Sequence, residues 1–346
     1  MKRIITLFTV LILCLLSIQA QRVIALQNGS KSFFHQQLDT IMAHAEQGDT
    51  IYLPGTNYNY GKDFSINKEL HIFGVGHVPD STKATGFSGI LNNIRFITGS
   101  DNSTLSGIYI NANIYFGTNT TNRNVSNVTI SRCNVGNIYL NYNSNVSNSQ
   151  VNYININENV IRSMVDGGYT PSNIAVERNI INDYVVNFNF PENCYFKNNT
   201  ILDYSYFFSN VSGVLIENNI CLASNPMSGL NQSTLRNNLF SANLDITNDA
   251  IGTNSMTGNL VNIARESIFV NAENLTSGFN YDYNYRLKPD CPGKNGGTDG
   301  MDIGIYGSDI PYKDVPENPH IISVDNASNV INGKLGVNVI VEAQPR

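Results

Sequence analysis

Between Ser100 and Asn284 the sequence contains no histidine, and the chain of 346 residues contains no tryptophan at all. The first absence excludes histidine acid–base chemistry from the middle of the protein, because His35, His44, His71, His77 and His320 all lie towards the two ends. Charge is scarce as well. Asp, Glu, Lys and Arg make up 14% of residues against 41% hydrophobic, which is too apolar for a disordered chain. The net charge of −6 comes without a basic stripe, so nucleic acid is excluded as a partner, and a polyanion would need a cation or a local basic patch between it and the protein. Beyond Cys14 the cysteines are Cys133, Cys194, Cys221 and Cys291, with no Cys-x-x-Cys or other metal-like spacing, which argues against zinc and redox roles.

Past the first twenty residues no apolar run could span a membrane. Lys2 and Arg3 precede an apolar run over 4–16 and then Ser-Ile-Gln-Ala, the pattern of a signal peptide (1–20) cleaved after Ala20. A membrane anchor needs about 18–20 apolar residues, more than this run supplies. Cys14 lies inside the run, which argues against a lipoprotein junction. The mature chain is expected to be exported to periplasm, cell surface or medium, with a net charge of −8 once Lys2 and Arg3 are removed.

What the sequence has in place of charge is a spaced asparagine. The phrase apolar-x-x-Asn-x-apolar recurs at Asn159, Asn179, Asn199, Asn219, Asn238 and Asn259, in steps of 20, 20, 20, 19 and 21 residues. Fainter copies stand at Ile130…Cys133…Val135 and around Leu105. Such a period marks a solenoid, in which each repeat buries its apolar face only by stacking on its neighbours. A leucine-rich repeat satisfies the core phrase too. It needs leucine-rich helical turns after the asparagine, whereas here the chain reads NDYVVNFNF and CLASNPMSG, residues of strands and bends. The reading favoured is an all-β parallel β-helix whose asparagines stack at a corner about 4.8 Å apart, the corner being a place where asparagine tolerates left-handed backbone. Cys194 and Cys221 then point inward and Cys133 occupies a ladder position, so these three read as buried packing.

Residues 31–48 carry Phe34, Leu38, Ile41, Met42 and Ala45 at helical spacing, which suits an amphipathic cap over the open end of a coil. The cap leads into GDTIYLPGTNYNYGKDFSINKELHIFGVG (48–76), and 285–307 reads YRLKPDCPGKNGGTDGMDIGIYG. Together these segments resemble right-handed parallel β-helix proteins of the pectin-lyase-like superfamily, of the secreted Bacteroidetes type, over about residues 31–310. The resemblance implies a right-handed single-stranded parallel β-helix over 21–310 with an N-terminal capping helix; length and composition agree with one elongated domain, and a monomer is expected. The closing pattern departs at Cys291, where the family has a Ser-Pro-Ala-Ile-type run. The tail, 311–346, shows strands around Asn332-Gly333 and is expected to form a β-hairpin cap on the last rung, or to attach the chain to a surface partner.

Residues one period apart should be neighbours on adjacent rungs, which gives two outer columns. Glu177, Lys197, Glu217 and Arg236 form one of alternating sign, either a register-fixing ladder or a carbohydrate-gripping strip. The other stacks Asp183 on Asp203 and Tyr184 on Tyr204. Paired carboxylates can serve as acid and base towards a glycoside or hold calcium, and the tyrosines could contact sugar; the plain alternative is a set of solvated bend residues. Family hydrolases carry a consecutive Asp pair, a His-Gly and an Arg-x-Lys, none of which occurs in the body of this chain. Family lyases use calcium carboxylates beside an Arg or Lys base. Arg132, Arg162, Arg178, Lys197 and Arg236 are present, and of these Lys197 is the one expected near Asp183 and Asp203. Asp299 and Asp302 in GGTDGMDIG could also bind calcium, a simple turn being the plainer reading. The expected function is polysaccharide binding at the cell envelope without a clear catalytic set, the alternatives being a lyase or hydrolase on the Asp183/Asp203 face and a structural or adhesive surface protein.

Overall fold

Each twenty-residue phrase folds as three short strands. In one rung these are Ser172–Glu177, Ile180–Ile181 and Val185–Phe188. Successive rungs pair in parallel, and among the described residues the first sheet has 12 strands, two of them an antiparallel N-terminal hairpin, the second 9 and the third 8, around a common interior. The result is a parallel β-solenoid of about eight turns. The structure, a computed structural model, describes residues 22–118, 124–140, 150–163, 165–168, 171–189, 192–202, 208–224, 227–242, 254–272, 278–313, 315, 319–331 and 334–342. Among these no helix is long and apolar enough to cross a membrane.

Inward residues stack in columns such as Val176, Phe196, Ile216 and Leu235, all essentially without solvent exposure. Cys133, Cys194 and Cys221 lie in this interior and Cys291 in a second core; all four are free thiols. Burial pushes the Cys133 and Cys194 thiols up to about 12, so they behave as small apolar side chains.

The corner between the first and second sheets is the asparagine column. The amide oxygen of Asn199 accepts from the Asn179 backbone N–H (2.9 Å) and from the Asn179 amide (3.0 Å), and the same pair of bonds joins Asn159 to Asn179, Asn199 to Asn219, Asn219 to Asn238 and Asn238 to Asn259. One part of the expectation needs correction. The left-handed residue is not the ladder asparagine but the one before it: Arg132, Glu158, Arg178, Asn198, Asn218 and Asn237 all have φ between 50 and 58°, and Gly258 has φ 66°. In an Asn-Asn pair the first residue therefore turns the chain and the second carries the ladder.

At the N-terminal end the helix is shorter than the 31–48 expected. It spans Leu38–His44 and buries Leu38, Ile41 and Met42, while Lys31–His35 is a strand. That strand pairs antiparallel with Ile24–Asn28, which in turn pairs antiparallel with Asp49–Leu53. The reason lies in the Asn28-Gly29 turn, where Gly29 takes φ 53°: a hairpin covers the first strand's open hydrogen-bonding edge, so Phe34 stands 62% exposed instead of packing.

At the other end the coil's named strands stop at Ser255–Thr257, short of residue 310. The outer face of the second sheet explains the return. Val160, Ile180, Ile220 and Leu239 point outward there, and the returning chain covers them with Ile268, Phe269, Leu287, Ile303 and Ile305 to make the second core. The left-handed asparagines hold the return in register. Asn237 donates to Gly296 O (2.8 Å), Asn218 exchanges bonds with Thr298 (3.0 and 3.1 Å), and Asn198 donates to Gly304 O (3.3 Å). Beyond it a C-terminal hairpin, His320–Ile331 with Lys334–Glu342, is present; among the described residues it pairs with itself and with no strand of the coil.

Candidate functional site

The register of the first-sheet column is as expected: Glu177, Lys197, Glu217 and Arg236 are direct neighbours. Glu217 lies between Lys197 (3.4 Å) and Arg236 (2.6 Å), and Lys197 also sits 5.2 Å over the Tyr195 ring. Beside this column, on the left-handed turn, Arg132 and Glu158 form a buried pair at 2.5 Å, with Arg178 at 4.0 Å from Glu158 and 3.1 Å from Glu177. These charges satisfy one another, which makes the column an internal brace.

Asp183 lies at the corner ahead of the third sheet, where its carboxylate accepts from the Ser163 hydroxyl at 2.7 Å. Tyr184 follows it, its carbonyl accepting from Val165 N–H at 3.1 Å. Lys197 is on the first sheet and Asp183 between the second and third, so the coil keeps the two on separate faces. Asp203 and Tyr204 lie outside the described residues, and so do the carboxylate pair and any calcium between its members. Asp299 and Asp302 are separate: Asp299 accepts from Met301 N–H (3.0 Å), and Asp302 accepts from Lys294 (2.8 Å) and Asn295 N–H (3.1 Å), as turn residues do. Among the described residues no three His, Cys, Asp or Glu side chains gather as a metal site.

The third sheet carries the set of outward groups on neighbouring rungs that the repeat spacing does not reveal. Arg95, Tyr115, Tyr139 and Asp166 are consecutive partners in register. The two tyrosine rings stack at 4.8 Å with planes 4° apart, and the Arg95 guanidinium lies 4.6 Å from the Tyr115 ring centre. Asp63 holds Arg95 at 2.5 Å, and the ladder of Asn93, Asn113 and Asn137 supports the corner that leads into this sheet. At the other end Asp166 accepts from Gly168 N–H (2.9 Å) and the Asn187 amide (3.1 Å). Burial nonetheless raises its pKa, the two hydrogen bonds opposing the shift.

Comparison with known protein families, with curated proteins and with solved structures gives no match.

The row's chemistry therefore has to be judged from its own geometry. The two tyrosine rings face each other along the coil, the Tyr115 hydroxyl accepts from the Asn113 amide at 3.1 Å, and the row comprises a guanidinium, two phenols and a carboxyl at one group per rung. That is a line of hydrogen-bonding groups, not a stacking platform. The sequence missed it because the steps are 20, 24 and 27 residues, so no constant period connects its members.

A second overlooked group is His77. Its Nδ1 meets the Tyr281 hydroxyl at 2.9 Å, and that hydroxyl also accepts from the Asn134 amide at 2.7 Å. Arg162 donates to Asn134 Oδ1 at 2.7 Å. Burial, helped by Arg162, lowers the His77 pKa to about 3, so the ring is neutral. It clamps the returning chain to the coil and is closed off from solvent.

Proposed function

We propose that this is an exported cell-envelope β-helix protein that binds polysaccharide along its third sheet. The observation that carries the reading is the row Arg95, Tyr115, Tyr139 and Asp166, one polar group per rung on an outer face outside the second core that the returning chain builds among the described residues. A regular line of donors and acceptors suits a polymer with a regular line of hydroxyls, and the acidic balance of the chain favours neutral glycans over polyanions. The signal-like leader supports the compartment.

A panel of neutral and uronic polysaccharides, with and without calcium, tests this by affinity electrophoresis. Binding of a neutral glycan that Tyr139→Ala weakens roughly 3- to 10-fold, the worth of about one hydrogen bond, is the expected result. Undiminished binding by Tyr139→Ala and Arg95→Ala together would reject this face. The raised pKa of Asp166 favours one second reading, in which its carboxyl gives a proton to a glycosidic oxygen. New reducing ends in the same panel, lost in Asp166→Asn, would establish cleavage.

A further inference from the structure

The C-terminal hairpin presents a surface that the coil does not use. Strand Lys334–Glu342 is exposed at all nine positions, and Leu335, Val337, Val339 and Val341 share one face while standing 46–55% exposed. The hairpin's two edges differ. The pairing is irregular between Ile321 and Ser323 and between Asn326 and Val330, and at both places the extra residues belong to His320–Ile331. Bulges of this kind bend a strand and spoil its outer edge for further pairing. Strand Lys334–Glu342 has no extra residue and no proline, and it carries charge only at its two ends. It is the regular edge of the pair.

Its order of residues, Lys-Leu-Gly-Val-Asn-Val-Ile-Val-Glu, is complementary to itself reversed. Two copies laid antiparallel about a two-fold axis through Asn338 set Lys334 opposite Glu342, Leu335 opposite Val341, Gly336 opposite Ile340 and Val337 opposite Val339. Both ends of the seam then carry an ion pair, and its apolar side chains meet on one face. A slip by one residue sets Lys334 against Val341 and Val337 against Asn338, so the charges specify the register.

We propose that this strand is a homodimerisation edge, and that its occupant is the same strand of a second copy. Pairing converts two isolated hairpins, marginal in water on their own, into one four-stranded antiparallel sheet. The seam is isologous, as a two-fold dimer requires.

Sedimentation of the mature full chain over a range of concentrations tests the pairing. The wild type forms a dimer. Lys334→Glu and Glu342→Lys each replace two attractive cross-strand pairs by two like-charged ones and raise the dimer Kd roughly 3- to 30-fold. The double variant restores opposite charges at both ends and returns the Kd to within about threefold of wild type, a rescue that damage to the hairpin itself would not give. Cysteine crosslinking reads the register separately, since Cys133, Cys194, Cys221 and Cys291 are buried. Asn338→Cys meets its own counterpart across the axis and forms a disulfide-linked dimer under mild oxidation, while Ile340→Cys faces Gly336 and does not. A wild type monomeric at every concentration, a double variant no better than the single ones, or equal crosslinking at the two positions would overturn the proposal.

Discussion

Asn199→Leu removes one step of the asparagine ladder, and the structure says what is lost. Asn199 is fully buried. Its amide oxygen serves two donors, the backbone N–H and amide of Asn179 (2.9 and 3.0 Å), and its own amide donates to Val176 O (2.8 Å) and Asn219 Oδ1 (3.0 Å). Leucine of similar size leaves the Asn179 backbone N–H without an acceptor in a place water does not reach, while the Asn179 amide keeps Ile156 O (2.8 Å) and Glu177 O (3.0 Å). At about 1–3 kcal/mol for the orphaned donor and about 1 kcal/mol for the lost amide bond, with part offset by the apolar side chain, the net loss is about 1–3 kcal/mol. Asn159 is the internal control. It stands at the ladder's upper end, where the preceding rung carries Cys133 and no amide, so its oxygen serves only the Cys133 backbone N–H (2.9 Å). Asn159→Leu therefore orphans one backbone donor without breaking an amide–amide bond as well, and should cost about 0.5–1.5 kcal/mol less than Asn199→Leu. Urea titration of both variants against wild type measures the difference. If Asn199→Leu lies within about 0.5 kcal/mol of wild type, or if Asn159→Leu is the more damaging, the ladder is not what holds the corner.

Two further outcomes follow from the charged groups. Glu158→Gln strips the buried Arg132 of its counter-charge, both side chains being no more than 6% exposed, and should cost about 3–5 kcal/mol; Glu217→Gln, whose partners Lys197 and Arg236 are 33 and 46% exposed and can turn to water, should cost about 1 kcal/mol or less in the same titration. Asp166 titrates in the opposite sense to a salt-bridged carboxylate. With its folded pKa raised, the folded state holds the proton more tightly than the unfolded chain, so the wild type loses stability as pH rises from the ordinary Asp range through the folded pKa. Asp166→Asn should abolish that loss, and melting curves from pH 3 to 7 that run parallel for the two proteins would contradict it.

The repeat was legible because a ladder residue must return at a nearly constant interval: each asparagine bonds the next across one strand spacing, and only a constant rung length keeps them aligned. The same constraint made the Glu177, Lys197, Glu217 and Arg236 column readable. It did not distinguish the two members of an Asn-Asn pair, because left-handed backbone and ladder bonding favour the same residue type at adjacent positions. The Arg95, Tyr115, Tyr139 and Asp166 row escaped because its rungs differ in length, so that sheet pairing keeps a register which counting loses. His77 and Tyr281 could not have been joined from sequence at all, being 204 residues apart. The one-dimensional pattern by itself determined a parallel coil, its corner and its inward residues, since these depend on neighbours one period away. Only the tertiary structure decided which outer face is covered and which is open, because that depends on where a non-repeating segment returns, and its partners lie at no fixed distance along the chain.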